Sequence, residues 1–286
     1  MNFSIIIVSW NVCERLQKNL NSIFQTSGQI NFEVIVIDNN STDETLSMIK
    51  SNFPQVHVIA NDDNLGFAKA CNQGLKIAQG KNVILLNPDM QILPDTLINL
   101  DTWLKMNPQA DVAGIKLLDS NHQLLPQVRQ FPTVWSQLAI VLKLPHLFPQ
   151  ILSSYLQSEF DYTQAAQVDS LRGAFFVLRR STLEQFGYFD ERYFLWFEEV
   201  DYCRTVKAKG GQVWYTPVAT AIDYVGQSFS QLPRIKKQKI FRQSMLAYFK
   251  KWESSWQVIL LVMAWELSEA IVRVAEILRI NPRSRT

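Results

Sequence analysis

Two rhythms of apolar and polar positions alternate along the first hundred residues. Short apolar runs, SIIIVS at Ser4–Ser9, FEVIVI at Phe32–Ile37, QVHVIA at Gln55–Ala60 and NVILL at Asn82–Leu86, have the length and β-branched content of buried strands. Between them apolar residues recur at helical spacing. Leu16, Leu20, Ile23 and Phe24 share one face of Arg15–Phe24, Thr42–Ile49 opens with Asp43 and Glu44 in its first turn, and Gly66–Ala78 forms a third helix. Strands and helices in turn predict βαβ units around a mainly parallel sheet. A helix at Asp95–Lys105 and strands at Asp111–Leu117 and Ala174–Arg179 extend the pattern. A helix from Glu198 closed by Gly210 and Gly211, and closing strands at Gln212–Tyr215 and Ala219–Tyr224, complete it. Residues 120–165 hold four prolines, many glutamines and no clean period, which predicts a semi-ordered insertion.

Length adds an appendage to this picture. The 286 residues suit one large α/β domain over 1–230 followed by a helical tail over 234–280. Three cysteines, odd in number and without CxxC spacing, exclude a disulfide framework and a zinc cage, and with no export signal they predict a cytoplasmic chain. Charge is unevenly distributed: residues 234–286 carry eleven Lys/Arg against four Glu, net +7, and residues 1–233 seventeen against twenty-two, net −5. Beside this basic tail lies WQVILLVMAW, Trp256–Trp265, too short to span a bilayer. Peripheral contact with the inner face of the membrane, or packing of the tail on the protein's own body, both fit; nucleic acid does not.

Ligands of parallel α/β sheets bind beyond the carboxyl ends of strands. Three such ends are polar: VSWN with Ser9 and Asn11, IDNNSTD with Asp38, and LLNPDM with Asp89. No GxGxxG follows the first strand, and no P-loop, GxSxG or histidine metal spacing occurs, so dinucleotide, P-loop, triad-hydrolase and zincin chemistries are excluded. What remains is carboxylates at strand ends and a second acidic cluster, Glu198-Glu199-Val200-Asp201, flanked by Tyr193, Phe194, Trp196 and Phe197. Local roles for these residues stay open: Asp38 as a turn or cap residue, Asn64 as an N-cap, Asp89 in an Asx-Pro turn, and Glu198, Glu199 and Asp201 as acids at a helix N-terminus.

The blocks SIIIVSWN, VIVIDNNSTDET, NDDNLGFAKACNQGL, ILLNPDM, GAFFVLRR, FDERYFLWFEEVDYCRTVKAKG and GQS, in that order over residues 4–230, resemble family 2 glycosyltransferases of the rhamnosyltransferase-like branch. The resemblance implies a GT-A fold, a nucleotide-sugar donor, Mg²⁺ or Mn²⁺, and an inverting transfer to a glycan or polyprenyl-linked glycan acceptor, with rhamnose as the first donor sugar to test. It puts Ser9, Asn11, Asp38, Asn64, Asn72 and Asp89 on the donor side and Asp89 on the metal. Glu199 is the implied base, and Gly173, Ala174, Glu198 and Asp201 lie on the acceptor side. Asp223 stands where the family usually has a metal-side His, so a carboxylate ligand or a lost activity are both open, and a non-catalytic nucleotide-sugar or glycan-binding protein on the same fold is the alternative.

Overall fold

A computed structural model describes residues 1–26, 30–224 and 233–277. Strands β1 (Phe3–Ser9), β2 (Phe32–Asp38), β3 (His57–Ala60) and β4 (Asn82–Leu86) alternate with α1 (Cys13–Gln25), α2 (Thr45–Asn52) and α3 (Phe67–Ile77), as the periodicity predicts. β5 (Met90–Ile92), α4 (Thr96–Met106) and β6 (Val112–Leu118) follow. The segment 120–165, expected to be semi-ordered, carries β7 (Val128–Arg129), α5 (Val134–Val141), two 3₁₀ turns at Leu144–His146 and Pro149–Leu152, and α6 (Ser153–Leu156). β8 (Ala166–Gln167), β9 (Ser170–Leu171), β10 (Phe175–Arg179), α7 (Arg180–Phe186), α8 (Glu198–Ala208) and β11 (Val213–Asp223) complete the body, and α9 (Arg234–Trp252) and α10 (Ser255–Ile277) the tail.

One nine-stranded sheet runs in the order β3-β2-β1-β4-β10-β6-β11-β5, with β8 added on β11. β3, β2, β1 and β4 are mutually parallel. β10 then inserts antiparallel between β4 and β6, so a strand nearly ninety residues after β4 sits beside the first four. The two closing strands expected at 212–224 are one strand, β11, whose pairing with β6 shifts register between Thr216 and Thr220, where Pro217 has no amide to donate.

Alternate residues of each strand feed opposite layers. Ile5 and Ile7 join Val34 and Val36 under α1, α2 and α4, through Leu20, Ile49 and Leu100. Ile6 joins Ile35, Ile37 and Leu85 under α3 and α8. The second layer continues without a break into the tail, since Met245, Tyr248 and Phe249 of α9 and Leu261 and Trp265 of α10 belong to the same buried cluster. Of the two arrangements open for the tail, α9 takes the packed one.

Truncating Phe249 to Ala is expected to cost about 3–5 kcal/mol, as for other buried aromatics, measured as a shift in the urea unfolding midpoint. A loss below about 1 kcal/mol would mean that α9 does not belong to the core.

Candidate active site

The carboxyl ends of β1, β2 and β4 open into a small cleft of about 70 Å³ whose lining includes Ser9, Trp10, Asn39, Asn64, Phe67 and Asn87. A larger cavity of about 290 Å³ lies at the opposite edge of the sheet, around Met1, Asn82, Asp101 and Arg179. That cavity holds none of the strand-end carboxylates. Its arginine is already engaged by the carbonyls of Leu104, Asn107 and Ala110, whereas the smaller cleft lies at the strand ends that the polar motifs occupy.

Ser9 is fully buried there and its hydroxyl has no protein partner, so a ligand hydroxyl or phosphate oxygen would satisfy it. Asp38, also fully buried, accepts from the amide and hydroxyl of Ser41 at 2.9 and 2.5 Å; it closes its own strand-end turn. Asn11 staples this loop to the next. At φ 51° it accepts from the Thr42 amide at 2.7 Å and donates its own amide to Ser41 Oγ. Asn64 accepts from the Gly66 amide at 3.0 Å. Gly66 has φ +83°, and a Cβ there would sit 2.5 Å from the carbonyl oxygen of Phe194, so only glycine lets the cleft wall and the Phe194 loop meet. Asn72, expected on the donor side, lies outside this lining. Its amide clamps Phe189 through both N–H and C=O and donates to Glu191, which joins α3 to the loop before α8.

From the cleft, Asn87-Pro88-Asp89 leads to the second half of the site. Pairing of β11 with β5 sets Asp223 opposite Met90, and the Tyr224 amide donates to the Asp89 carbonyl at 3.1 Å, so the buried carboxylates of Asp89 and Asp223 share one sheet edge. Asp223 pairs with Arg172 at 3.3 Å. Arg172 precedes Gly173, where a Cβ would lie 3.6 Å from the Glu199 side chain, so the base candidate packs against bare backbone. Ala174 ties the halves together by accepting from the Asn87 amide at 2.9 Å. Gly226, Gln227 and Ser228 lie outside the described residues.

Glu198 and Glu199 enter through an unusual turn. Trp196 and Phe197 both adopt left-handed φ, 65° and 72°, which costs bulky L-residues about 1–3 kcal/mol each. α9 holds the turn: Ser244 Oγ donates to the Leu195 carbonyl at 2.7 Å, and Phe241 and Tyr248 pack on the Phe197 ring. Glu198 is buried with Oε2 unpartnered, and burial, reinforced by Glu199, pushes its carboxyl well above the ordinary glutamate range. Glu199 is partly exposed as a residue, but its Oε2 is also buried and without a protein partner. Burial also raises its carboxyl, opposed by backbone amides, including that of Gly173, and by the Arg172 guanidinium. Asp201, expected on the acceptor side, faces the tail, accepting from Trp252 Nε1 at 2.6 Å, Lys251 Nζ at 2.7 Å and Tyr193 Oη at 3.2 Å.

The insertion adds groups that sequence periodicity does not reveal. The Arg172 amide donates to the Gln127 carbonyl, and β7 pairs with β9, so the insertion lies against the Arg172–Gly173 turn. Gln127 and Gln137 are fully buried with unpartnered amide atoms, and the Tyr155 hydroxyl lies close enough to Glu199 and Gln137 for both to bear on its proton affinity. The one sequence signal is a glutamine inside the apolar run VWSQLAIV.

Among the described residues no group of three or more His, Cys, Asp or Glu gathers to hold a metal ion. Mg²⁺ and Mn²⁺ can complete their shells from phosphate oxygens and water with one or two protein carboxylates, so Asp89 fits such an ion as a hard oxygen ligand; Asp223 is already shared with Arg172.

The family profile described as Glycosyl transferase family 2 matches residues 4–187. An N-acetylglucosaminyl-diphospho-decaprenol L-rhamnosyltransferase of Mycobacterium tuberculosis is 28% identical over 215 residues, 70% of this chain and 69% of that protein. A low-salt glycan biosynthesis hexosyltransferase, Agl10 of Haloferax volcanii, is 25% identical over 225 residues, 77% of this chain and 66% of the relative. Among solved structures, S. aureus TarS 1-349 superimposes with a TM-score of 0.55 at 19% identity over 87% of this chain and 72% of that one. GalNAc-T7 with UDP, GalNAc and Mn²⁺ superimposes at 0.62 and 16% identity over 86% and 48%. The fold is GT-A, an α/β layer structure on a mostly parallel sheet.

Replacing Glu198 by Gln is expected to stabilise the protein at neutral pH by about 1 kcal/mol or more, because the folded carboxyl must otherwise hold a buried charge or take up a proton. A raised carboxyl favours folding only below its unfolded pKa, and that contribution is lost as pH rises through the folded value. The gain from Gln should therefore vanish below about pH 4.3 and grow as pH rises from there toward the raised folded value. Thermal melts of both proteins across pH check this; a gain constant with pH would remove the buried ionisation.

Proposed function

Because the chain belongs to glycosyl transferase family 2 and is therefore a glycosyltransferase, we propose that it moves a sugar, rhamnose first among candidates, from a nucleotide-diphosphate donor to a glycan on a polyprenyl-type lipid carrier in polysaccharide synthesis. The observation that carries this reading is the continuous line of polar groups from the cleft at Ser9 and Asn64, through Asp89, Asp223 and Arg172, to a partly exposed glutamate whose carboxyl burial has raised. The names of the M. tuberculosis and Haloferax relatives, a lipid-diphosphate rhamnosyltransferase and a glycan-building hexosyltransferase, support the choice of acceptor.

In this reading Ser9, Asn39 and Asn64 meet the nucleoside and sugar side of the donor. Asp38 and Asn11 act through the loop they hold, and Asn72 acts by fixing α3 to the loop before α8. Asp89 would hold Mg²⁺ or Mn²⁺, which supplies Lewis-acid neutralisation of the leaving diphosphate. Arg172, fixed by Asp223, adds fixed positive charge on the same side. Glu199 takes the acceptor hydroxyl proton as that oxygen attacks the anomeric carbon from the face opposite the leaving group. Burial raises its carboxyl, the direction that strengthens a carboxylate base, and Gly173 packs bare backbone against it. Glu198, more deeply buried, orients its neighbour. Gln127, Gln137 and Tyr155 border the acceptor side. A lipid-borne acceptor also requires work at a membrane surface, and peripheral contact through the tail is part of the reading.

Two variants test it. Glu199→Gln keeps shape and removes basicity, so transfer should fall roughly 10²–10⁴-fold with donor affinity within a few fold; Glu198→Gln should be milder. If Glu198→Gln abolishes transfer and Glu199→Gln does not, the base is misassigned. Asp89→Ala should lose metal-dependent donor binding in a calorimetric titration while its melting temperature stays near wild type; an unchanged metal titration would remove Asp89 from the metal. Incubation with a donor panel including dTDP-rhamnose identifies the sugar.

A further inference from the structure

Over residues 255–271, α10 has one apolar face that is covered and another that is not. Leu261, Ala264 and Trp265 are buried against the rest of the protein. On the other side Trp256, Ile259, Met263, Leu267 and Ile271 recur every three or four residues as one stripe, each between 54% and 63% exposed. Soluble surface helices place charged or polar residues on that side. Here the nearest charges are already paired: Glu266 and Glu269 both meet Arg242 of α9, at 2.5 and 3.7 Å. α5, which packs on α10, leaves Trp135 exposed, and the adjoining 3₁₀ turns expose Leu147, Phe148 and Ile151.

We propose that this face seats the enzyme on an anionic lipid surface, with α10 lying in the plane of the interface. Three observations choose that occupant. The exposed tryptophans, Trp135 and Trp256, are the residue type that suits the headgroup boundary. Cations lie on the neighbouring helix: α9 runs antiparallel to α10, as the Arg242–Glu266 pair shows, so its first turns, with exposed Arg234, Lys236 and Lys239, run alongside the distal half of α10. Anionic headgroups complement these basic turns. No helix of the described residues is long and apolar enough to cross a membrane, so α10 lies on the bilayer. The proposal deepens the reading of a lipid-borne acceptor, but vesicle binding is measured without donor or acceptor and stands or falls separately from transfer.

The test is cosedimentation of the full chain with vesicles of phosphatidylcholine and phosphatidylglycerol, at low and high salt. Wild type should keep part of its binding at high salt. Ile259→Gln, Met263→Gln, Leu267→Gln combined should lower partition about tenfold or more at both salts, with thermal midpoint and donor hydrolysis unchanged. Lys236→Glu with Lys239→Glu should weaken binding at low salt only. Three results would overturn the proposal: wild-type binding by the triple glutamine variant, complete release of wild type by salt, or a wild-type dimer in sedimentation that the triple variant breaks while neither binds vesicles.

Discussion

A buried glutamate, Glu198, and its half-buried neighbour Glu199 are held at the first turn of α8, and much of the molecule is organised around keeping them there. Neither the burial of Glu198 nor the left-handed pair Trp196–Phe197 that delivers it is favourable by itself. Both persist because α9 over-determines the turn: Ser244 holds the Leu195 carbonyl, aromatic rings cover Phe197, and three donors converge on Asp201 one turn further along α8. Asp201 itself therefore faces α9, and its contribution to the site is geometric. Arg204, on the same helix, repeats the connection through Tyr248 and Glu253.

The sheet supplies the complementary half. Parallel strands align their carboxyl ends, so β1, β2 and β4 bring Ser9, Asp38 and Asn87 to one edge without long-range help. β10 enters antiparallel, which places its own beginning at that edge. Gly173 and Ala174 thereby arrive beside Asn87, and Arg172 stands between the two carboxylate pairs. β10 thus brings the Arg172–Ala174 segment to the same edge as the ends of β1, β2 and β4.

The parts legible in the sequence are those whose cause is local. β1 to β4 and their helices carry strict periods, and Asp38 and Asp89 fall at strand ends by position alone. Nothing local marks β10 as antiparallel, and Pro217 disguises β11 as two strands. At the site, Asn72 and Asp201 show the same limit. Their partners lie 117 and 50 residues away, so motif position suggests ligand contact while tertiary contacts assign them to structure. Gln127, Gln137 and Tyr155 belong to a segment whose prolines and short elements erase any period, although a glutamine amid apolar residues on α5 is a local sign of a buried polar role.

The tie between Asp201 and Lys251 spans fifty residues of chain, and translation proceeds from the other end. While the ribosome adds those residues, the strands of the donor half already have their partners and can pair, but the turn before α8 has no helix to oppose its strain. A nascent chain, or one cleaved before Lys251, would therefore carry paired strands β1 to β4 beside an unanchored turn at Leu195–Phe197, which is also one wall of the cleft. The cleft and the start of α8 would thus be completed together, both waiting on the last helices to be made.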